Sequence, residues 1–207
     1  MTPESIAALA RADVARALQE DLGSGDLTAA LVPEGRRCRA RILAREAAVI
    51  CGAPWAEAAL RALDPTVSLT WLVAEGQRCA PDQVVLDIAG DARALLSAER
   101  TALNFLQLLS AVATKTAIYV EAVKGTRAAI VDTRKTIPGL RLAQKYAVRV
   151  GGGVNHRIGL HDAVLIKENH IAAAGGVTPV LRAAEAVAAR AAFIEIEVET
   201  LAQLAEA

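Results

Sequence analysis

The spacing of apolar positions changes character along the chain. Residues 4–21 place Ile6, Leu9, Val14 and Leu18 at helical intervals and stop at Gly23-Ser24-Gly25-Asp26, which predicts a helix closed by a turn. From about residue 37 to 90 the pattern shortens to β-like runs, RARILA, AVICG, VSLTWLV and QVVLDIAG, interrupted by a predicted helix over 53–63. An alanine-rich helical stretch follows over 93–122. Mixed short strands and helices of this kind imply a small α+β unit.

After residue 125 strand and helix alternate. AAIVD (128–132) is a predicted buried strand, and a turn at Pro138-Gly139 leads into the helix LRLAQKYAVRV, which ends at Gly151-Gly152-Gly153. Next come a strand DAVLIK (162–167), a Gly175-Gly176 turn, a helix over about 178–190, a strand FIEIEVE (193–199) and a helix starting at 200. This rhythm predicts a parallel sheet. The expected fold class is α/β: an N-terminal mixed α+β domain over 1–112, then an open, incomplete α/β barrel over 113–207. A barrel takes about eight strand–helix units, and three strands fall between 126 and 207. The remaining units are therefore expected beyond Ala207.

Composition refines this picture. Apolar residues make up 54% of the chain but aromatics only 3%, so the core must be built from Ala, Val, Leu and Ile. No uninterrupted run of eighteen apolar residues appears, which argues against a membrane span, and the charged N-terminus does not resemble a signal peptide. Cys38, Cys51 and Cys79 have neither metal nor redox spacing and read as reduced thiols of a cytoplasmic protein.

Charge is balanced overall but segregated. Residues 100–170 hold 11 of the 23 Lys and Arg and 4 of the 23 Asp and Glu, and all three histidines (His156, His161, His170) lie there. A concentrated positive field implies an anionic partner. The scarcity of aromatics disfavours nucleic acid and favours a small anion.

Parallel α/β folds gather chemistry at the C-terminal ends of their strands. The predicted strands end in Asp132-Thr133-Arg134-Lys135-Thr136 and in Lys167-Glu168-Asn169-His170, with Asn155-His156-Arg157 between them. The third strand puts Glu195, Glu197 and Glu199 on one face, which suits a site filled with cations, metal or a polyhydroxyl ligand. Plainer readings stand beside these: loop charges for Arg134 and Lys135, a helix cap for the glycines, structural roles for His161 and His170, and solvent for Glu195 and Glu199. The concurrence of bases at successive strand ends with acids opposite favours a site.

The run DTRKTIPGLR (132–141) resembles the signature of the quinolinate phosphoribosyltransferases. So do KYAVRVGGGVNHRIGL (145–160), LIKENHI (165–171), IEIEVETL (194–201), GSGDLT (23–28) and SAERTALNFLQ (97–107), in family order and spacing. A related group linked to molybdenum transport shares the Arg-Lys loop, but the unbroken GGGVNHR and ENH runs fit the quinolinate enzymes better. The resemblance implies transfer of a phosphoribosyl group from phosphoribosyl pyrophosphate to quinolinate with decarboxylation, and Mg²⁺ on the phosphates. It implies a homodimer or higher oligomer in which one subunit completes the other's site. By the same resemblance, Arg134 and Arg157 hold the quinolinate carboxylates, with Thr133 and His156 beside the pocket and Arg100 reaching in from the partner. Lys135 and Lys167 face the pyrophosphate, and Glu197 holds ribose hydroxyls or metal-bound water. Family members continue with a further acidic strand and glycine-rich phosphate loops that 1–207 does not contain. A non-catalytic anion-binding remnant is the corresponding alternative.

Overall fold

The computed structural model describes residues 1–207, which form two compact units. The first comprises Met1–Asp132 and Thr136–Asn155, and the second Thr133–Lys135 and His156–Ala207.

In the first unit, α1 (Pro3–Leu22) starts where Thr2 accepts the Ser5 N–H and Pro3 supplies a preset φ, and it ends at Gly23. A three-stranded antiparallel sheet follows, in the order β1 (Arg37–Leu43), β5 (Val84–Asp91), β3 (Ser68–Trp71). The short strands β2 (Ala48–Val49) and β4 (Arg78–Cys79) pair separately. The helix α2 (Ala53–Leu63) begins at a tight junction, because a Cβ on Gly52 would stand 3.2 Å from the Phe105 carbonyl. The Glu75 carboxylate closes that helix start, accepting the Gly52 and Ala53 N–H groups at 2.8 and 2.9 Å and the Tyr146 hydroxyl at 3.0 Å.

The long helix α3 (Ala92–Ala122) is the spine of this unit. By length and apolarity alone it could cross a membrane, but it buries Leu95, Ala98, Ala102, Phe105, Leu106, Leu109 and Ala113 in the unit's core. The same core takes Trp55, whose indole N–H donates to Asp13 at 2.9 Å. Small aliphatic side chains do most of the filling, as the composition requires. All three cysteines are free, and burial, reinforced by the nearby Glu75 carboxylate, pushes the Cys51 thiol far above its usual range. That thiol is an inert core group.

The helix α4 (Arg141–Val150) packs on α3, and the glycines after it permit the approach. A Cβ on Gly151 would collide with the Ala113 carbonyl, and one on Gly153 would lie 2.8 Å from Val148 and 2.9 Å from Thr116. The triple glycine is thus a packing requirement as well as a helix stop. Because α3 runs unbroken through residue 112 and α4 packs on it, the units divide at 132 and 155.

In the second unit, β6 (Val164–Ile166) and β7 (Ile194–Ile196) pair in parallel, with Leu165 opposite Glu195. Ile166 and Ile196 turn toward a small core made with Ile171, Val177 and Ala184. The helices α5 (Glu168–Ala174), α6 (Val177–Glu185) and α7 (Leu201–Glu206) complete it.

Three expectations change in detail. The strand over 128–132 contracts to one parallel bridge, Val131 with Val154, because its neighbour leaves Gly153 and turns away after that residue. The strand over 193–199 spans only 194–196. Its partner ends at Ile166, where the Lys167 N–H already donates to His170 Nδ1 at 3.0 Å and opens α5. The helix over 178–190 stops at Glu185, with a 3₁₀ turn at Ala188–Arg190. The α/β class with its N-terminal mixed domain stands, and the sheet is open.

Candidate active site

Strand register in the second unit generates the central contact. Ile166 and Ile196 are paired and face the core, so the next residues, Lys167 and Glu197, emerge side by side on the opposite face. The Glu197 N–H donates to the Ile166 carbonyl at 2.9 Å, and the Lys167 ammonium donates to the Glu197 carboxylate at 2.8 Å. The Lys167 hydrogen bond holds the Glu197 carboxyl below its usual range against the opposing effect of desolvation, and the charges of Lys167, Lys135 and Arg157 push it the same way. Three cations from three separate segments therefore act on one carboxylate.

Glu195, two residues back on the same face, accepts from or donates to His156 Nε2 at 2.8 Å according to its protonation. An ionised Glu195 requires the imidazole proton on Nε2, which fixes the tautomer. The edge of the His156 ring meets Phe193, with centroids 4.8 Å apart at 69°. Phe193, one of only two phenylalanines in the chain, is thus committed to orienting a site histidine.

The loop Thr133–Lys135 turns tightly, with the Lys135 N–H donating to Thr133 Oγ1 at 3.0 Å. Arg134 and Arg157 are half-buried while Lys135 is exposed. Of the residues picked from sequence, Thr133, Arg134, Lys135, His156, Arg157, Lys167 and Glu197 share the second unit. Arg100 lies exposed on α3 in the first unit.

His170 caps α5, and His161 has its ring 2.6 Å from where a Cβ on Gly159 would stand. Asp162 ties together the loop before β6. Burial would raise its carboxyl, but the Ile158 and Gly159 N–H groups, at 2.7 and 2.8 Å, prevail and lower it.

Two features escaped the sequence reading. Glu195 was visible as an acid but not as the partner of His156. The buried trio Asp132, Lys145 and Asn155 was not recognised at all. A lysine beside Ala143 and Ala147 on the inner face of α4 is the signal that could have exposed it.

No group of three or more His, Cys, Asp or Glu side chains is arranged to hold a metal ion. The β7 end presents two carboxylates, Glu195 and Glu197, and a Mg²⁺ carried on phosphates takes one or two.

Cations and carboxylates at the ends of parallel strands suit phosphorylated and carboxylated small molecules. The family models specify which. Residues 26–110 match the quinolinate phosphoribosyl transferase N-terminal domain, and residues 112–207 match its C-terminal domain. The chain belongs to the quinolinate phosphoribosyltransferase family. It is 48% identical over 202 residues to a nicotinate-nucleotide pyrophosphorylase [carboxylating] of Mycobacterium leprae, covering 94% of this chain and 70% of that one. A probable enzyme of the same name from Bacillus subtilis is 42% identical, covering 91% of this chain and 65% of that protein. Among solved structures, the nicotinate-nucleotide pyrophosphorylase of Francisella tularensis superposes with a TM-score of 0.92 at 40% identity, over 100% of this chain and 72% of that one. The chain thus spans roughly two thirds of the length of the relatives it matches.

Proposed function

We propose that this protein transfers the phosphoribosyl group of phosphoribosyl pyrophosphate to the ring nitrogen of quinolinate. The products are nicotinate mononucleotide, carbon dioxide and pyrophosphate, a step of NAD synthesis. The observation that carries the proposal is the Lys167–Glu197 pair at adjacent ends of two parallel strands, on which the charges of Lys135 and Arg157 also act.

Quinolinate bears two adjacent carboxylates, and planar guanidinium groups bind carboxylates through paired hydrogen bonds. Arg134 and Arg157 take that role, with Thr133 and His156 beside them. Lys135 and Lys167 neutralise charge developing on the departing pyrophosphate. Glu197, kept ionised by its neighbours, accepts hydrogen bonds from ribose hydroxyls or from water on the metal. Mg²⁺, when bound with phosphoribosyl pyrophosphate, supplies further neutralisation of the leaving group. Once the C–N bond forms, the ring nitrogen is cationic and stabilises the electron pair left on the adjacent ring carbon as its carboxylate departs as carbon dioxide. A proton from water then takes the carboxylate's place on that carbon, so the step needs a proton source and no general base.

Arg100, remote in sequence from the strand ends, is assigned to the site of a partner subunit in a homodimer or higher oligomer. The three free cysteines suit a reducing cytoplasm.

Calorimetric titration against quinolinate and against nicotinate, which lacks one carboxylate, tests the assignment. Binding weaker by about a hundredfold or more for nicotinate is expected, since one half-buried guanidinium loses its carboxylate. Equal affinities would remove the dicarboxylate from the proposal.

A further inference from the structure

Two site-bearing segments leave the first unit from adjacent points. Thr133–Lys135 follows Asp132, and His156 and Arg157 follow Asn155. Backbone pairing at these points is slight. Val131 and Val154 form a single bridge, the Asp132 N–H donates to the Val154 carbonyl at 3.1 Å, and the Val154 N–H donates to the Ile130 carbonyl at 2.8 Å.

Side chains strengthen the junction. One oxygen of the Asp132 carboxylate accepts the Lys145 ammonium, and the other accepts the Asn155 amide at 2.6 Å. The same amide donates to the Lys145 carbonyl at 2.8 Å. The Lys145 side chain is 1% exposed and that of Asp132 7%.

A buried ion pair is a poor way to gain stability. Desolvating two charges offsets most of their attraction, and apolar side chains of equal volume often serve as well or better. Ala143 and Ala147 already give α4 an apolar inner face. What the polar trio adds is direction, because an ion pair with two convergent amide bonds fixes geometry that apolar packing leaves loose.

We infer that Lys145, Asp132 and Asn155 are positioning residues that set the spacing between the Arg134 and Arg157 segments, and so tune the protein to the two carboxylates of quinolinate. This rests on the function proposed above. The Lys145 and Asp132 side chains are closed to solvent. The effect of the trio passes through the backbone at Asp132 and Asn155, where each segment begins.

The trio predicts an asymmetric kinetic defect. Asn155→Ala leaves the Lys145–Asp132 pair in place, so the 133–135 segment stays anchored while the 156–157 segment is released. In the protein as its gene encodes it, the KM for quinolinate should rise about tenfold or more, because carboxylate binding depends on both arginines being placed together. The KM for phosphoribosyl pyrophosphate should change by less than about twofold, and Tm should barely move. A second variant, Asp132→Asn with Lys145→Met, removes both charges so that neither is stranded. It should melt near the unmutated protein yet show the same rise for quinolinate.

Unchanged quinolinate KM in both variants overturns the inference. Parallel rises in both KM values that track a loss of Tm also overturn it, because they mark a purely structural role. If the unmutated protein does not turn over quinolinate, the proposed function fails before any variant is compared, and this inference fails with it.

Discussion

Lys167 and Glu197 stand side by side because each follows the last paired residue of a parallel strand, and the ammonium donates to the carboxylate at 2.8 Å. The pair predicts a pH signature. Glu197 titrates below its ordinary value of 4.5, chiefly through the Lys167 hydrogen bond. Lowering a carboxyl pKa on folding adds stability above the unfolded carboxylate range, and that stability is lost as pH falls through the folded value. Carboxyl NMR of Glu197 should therefore show a midpoint below 4.5. Lys167→Met should move it upward, and an unshifted midpoint would mean that the pair does not persist in solution.

Glu195 should govern the tautomer of His156. With Glu195 ionised, Nε2 carries the imidazole proton and Nδ1 is left as the acceptor. Glu195→Gln keeps the shape but removes the charge that favours that tautomer. Quinolinate binding should weaken about fivefold, corresponding to roughly 1 kcal/mol for one hydrogen bond. Nitrogen NMR of the ring reads the tautomer directly, and an unaltered spectrum in the variant would refute the coupling.

Gly151 should be intolerant of any side chain. An added Cβ collides with the Ala113 carbonyl and stands 2.7 Å from Thr116 Cβ, and neither belongs to a flexible chain end. Gly151→Ala must push α4 away from α3, at a cost of about 1–3 kcal/mol from overpacking. Gly125→Ala, where a Cβ meets nothing within 4 Å, is the comparison, although its positive φ of 83° carries its own smaller penalty. Thermal melts that rank Gly125→Ala as the more damaging would contradict the packing account.

Arg100 offers a test of site sharing. It is exposed on α3 and lies outside the unit that holds the other seven predicted site residues. If it serves a partner's site, Arg100→Ala and Arg134→Ala should each be inactive alone. After subunit exchange in equal amounts, about a quarter of the sites regain both arginines, because half the dimers are mixed and each has one intact site. No recovery after verified exchange would assign Arg100 elsewhere.

Much of this fold was legible because its elements are local and periodic. The helix over 53–63 is marked by Pro54 near its start and by apolar spacing, and it forms with those bounds. The Lys167 and Glu197 positions were readable for the same reason, since each closes a short apolar strand. What was not readable depends on contacts distant in sequence. Nothing local to LRLAQKYAVRV says that Lys145 is buried against Asp132 and Asn155, thirteen and ten residues away. Likewise AAIVD looks like a full strand, but strand length is set by the partner, and here the partner pairs at one residue. The helix α5 over ENHIAAA is not signalled locally, because what opens it is a histidine ring capping a backbone N–H, an unusual helix start.

The most direct test of the central claim is a product balance. The protein as its gene encodes it is given quinolinate labelled in the carboxyl group adjoining the ring nitrogen, phosphoribosyl pyrophosphate and Mg²⁺, and labelled carbon dioxide, pyrophosphate and nicotinate mononucleotide are counted together. The account predicts equal amounts of all three, with turnover falling about a hundredfold or more in Lys167→Ala, where a cation that stabilises the departing pyrophosphate is gone. Pyrophosphate released without carbon dioxide, or Lys167→Ala retaining full turnover, would contradict it.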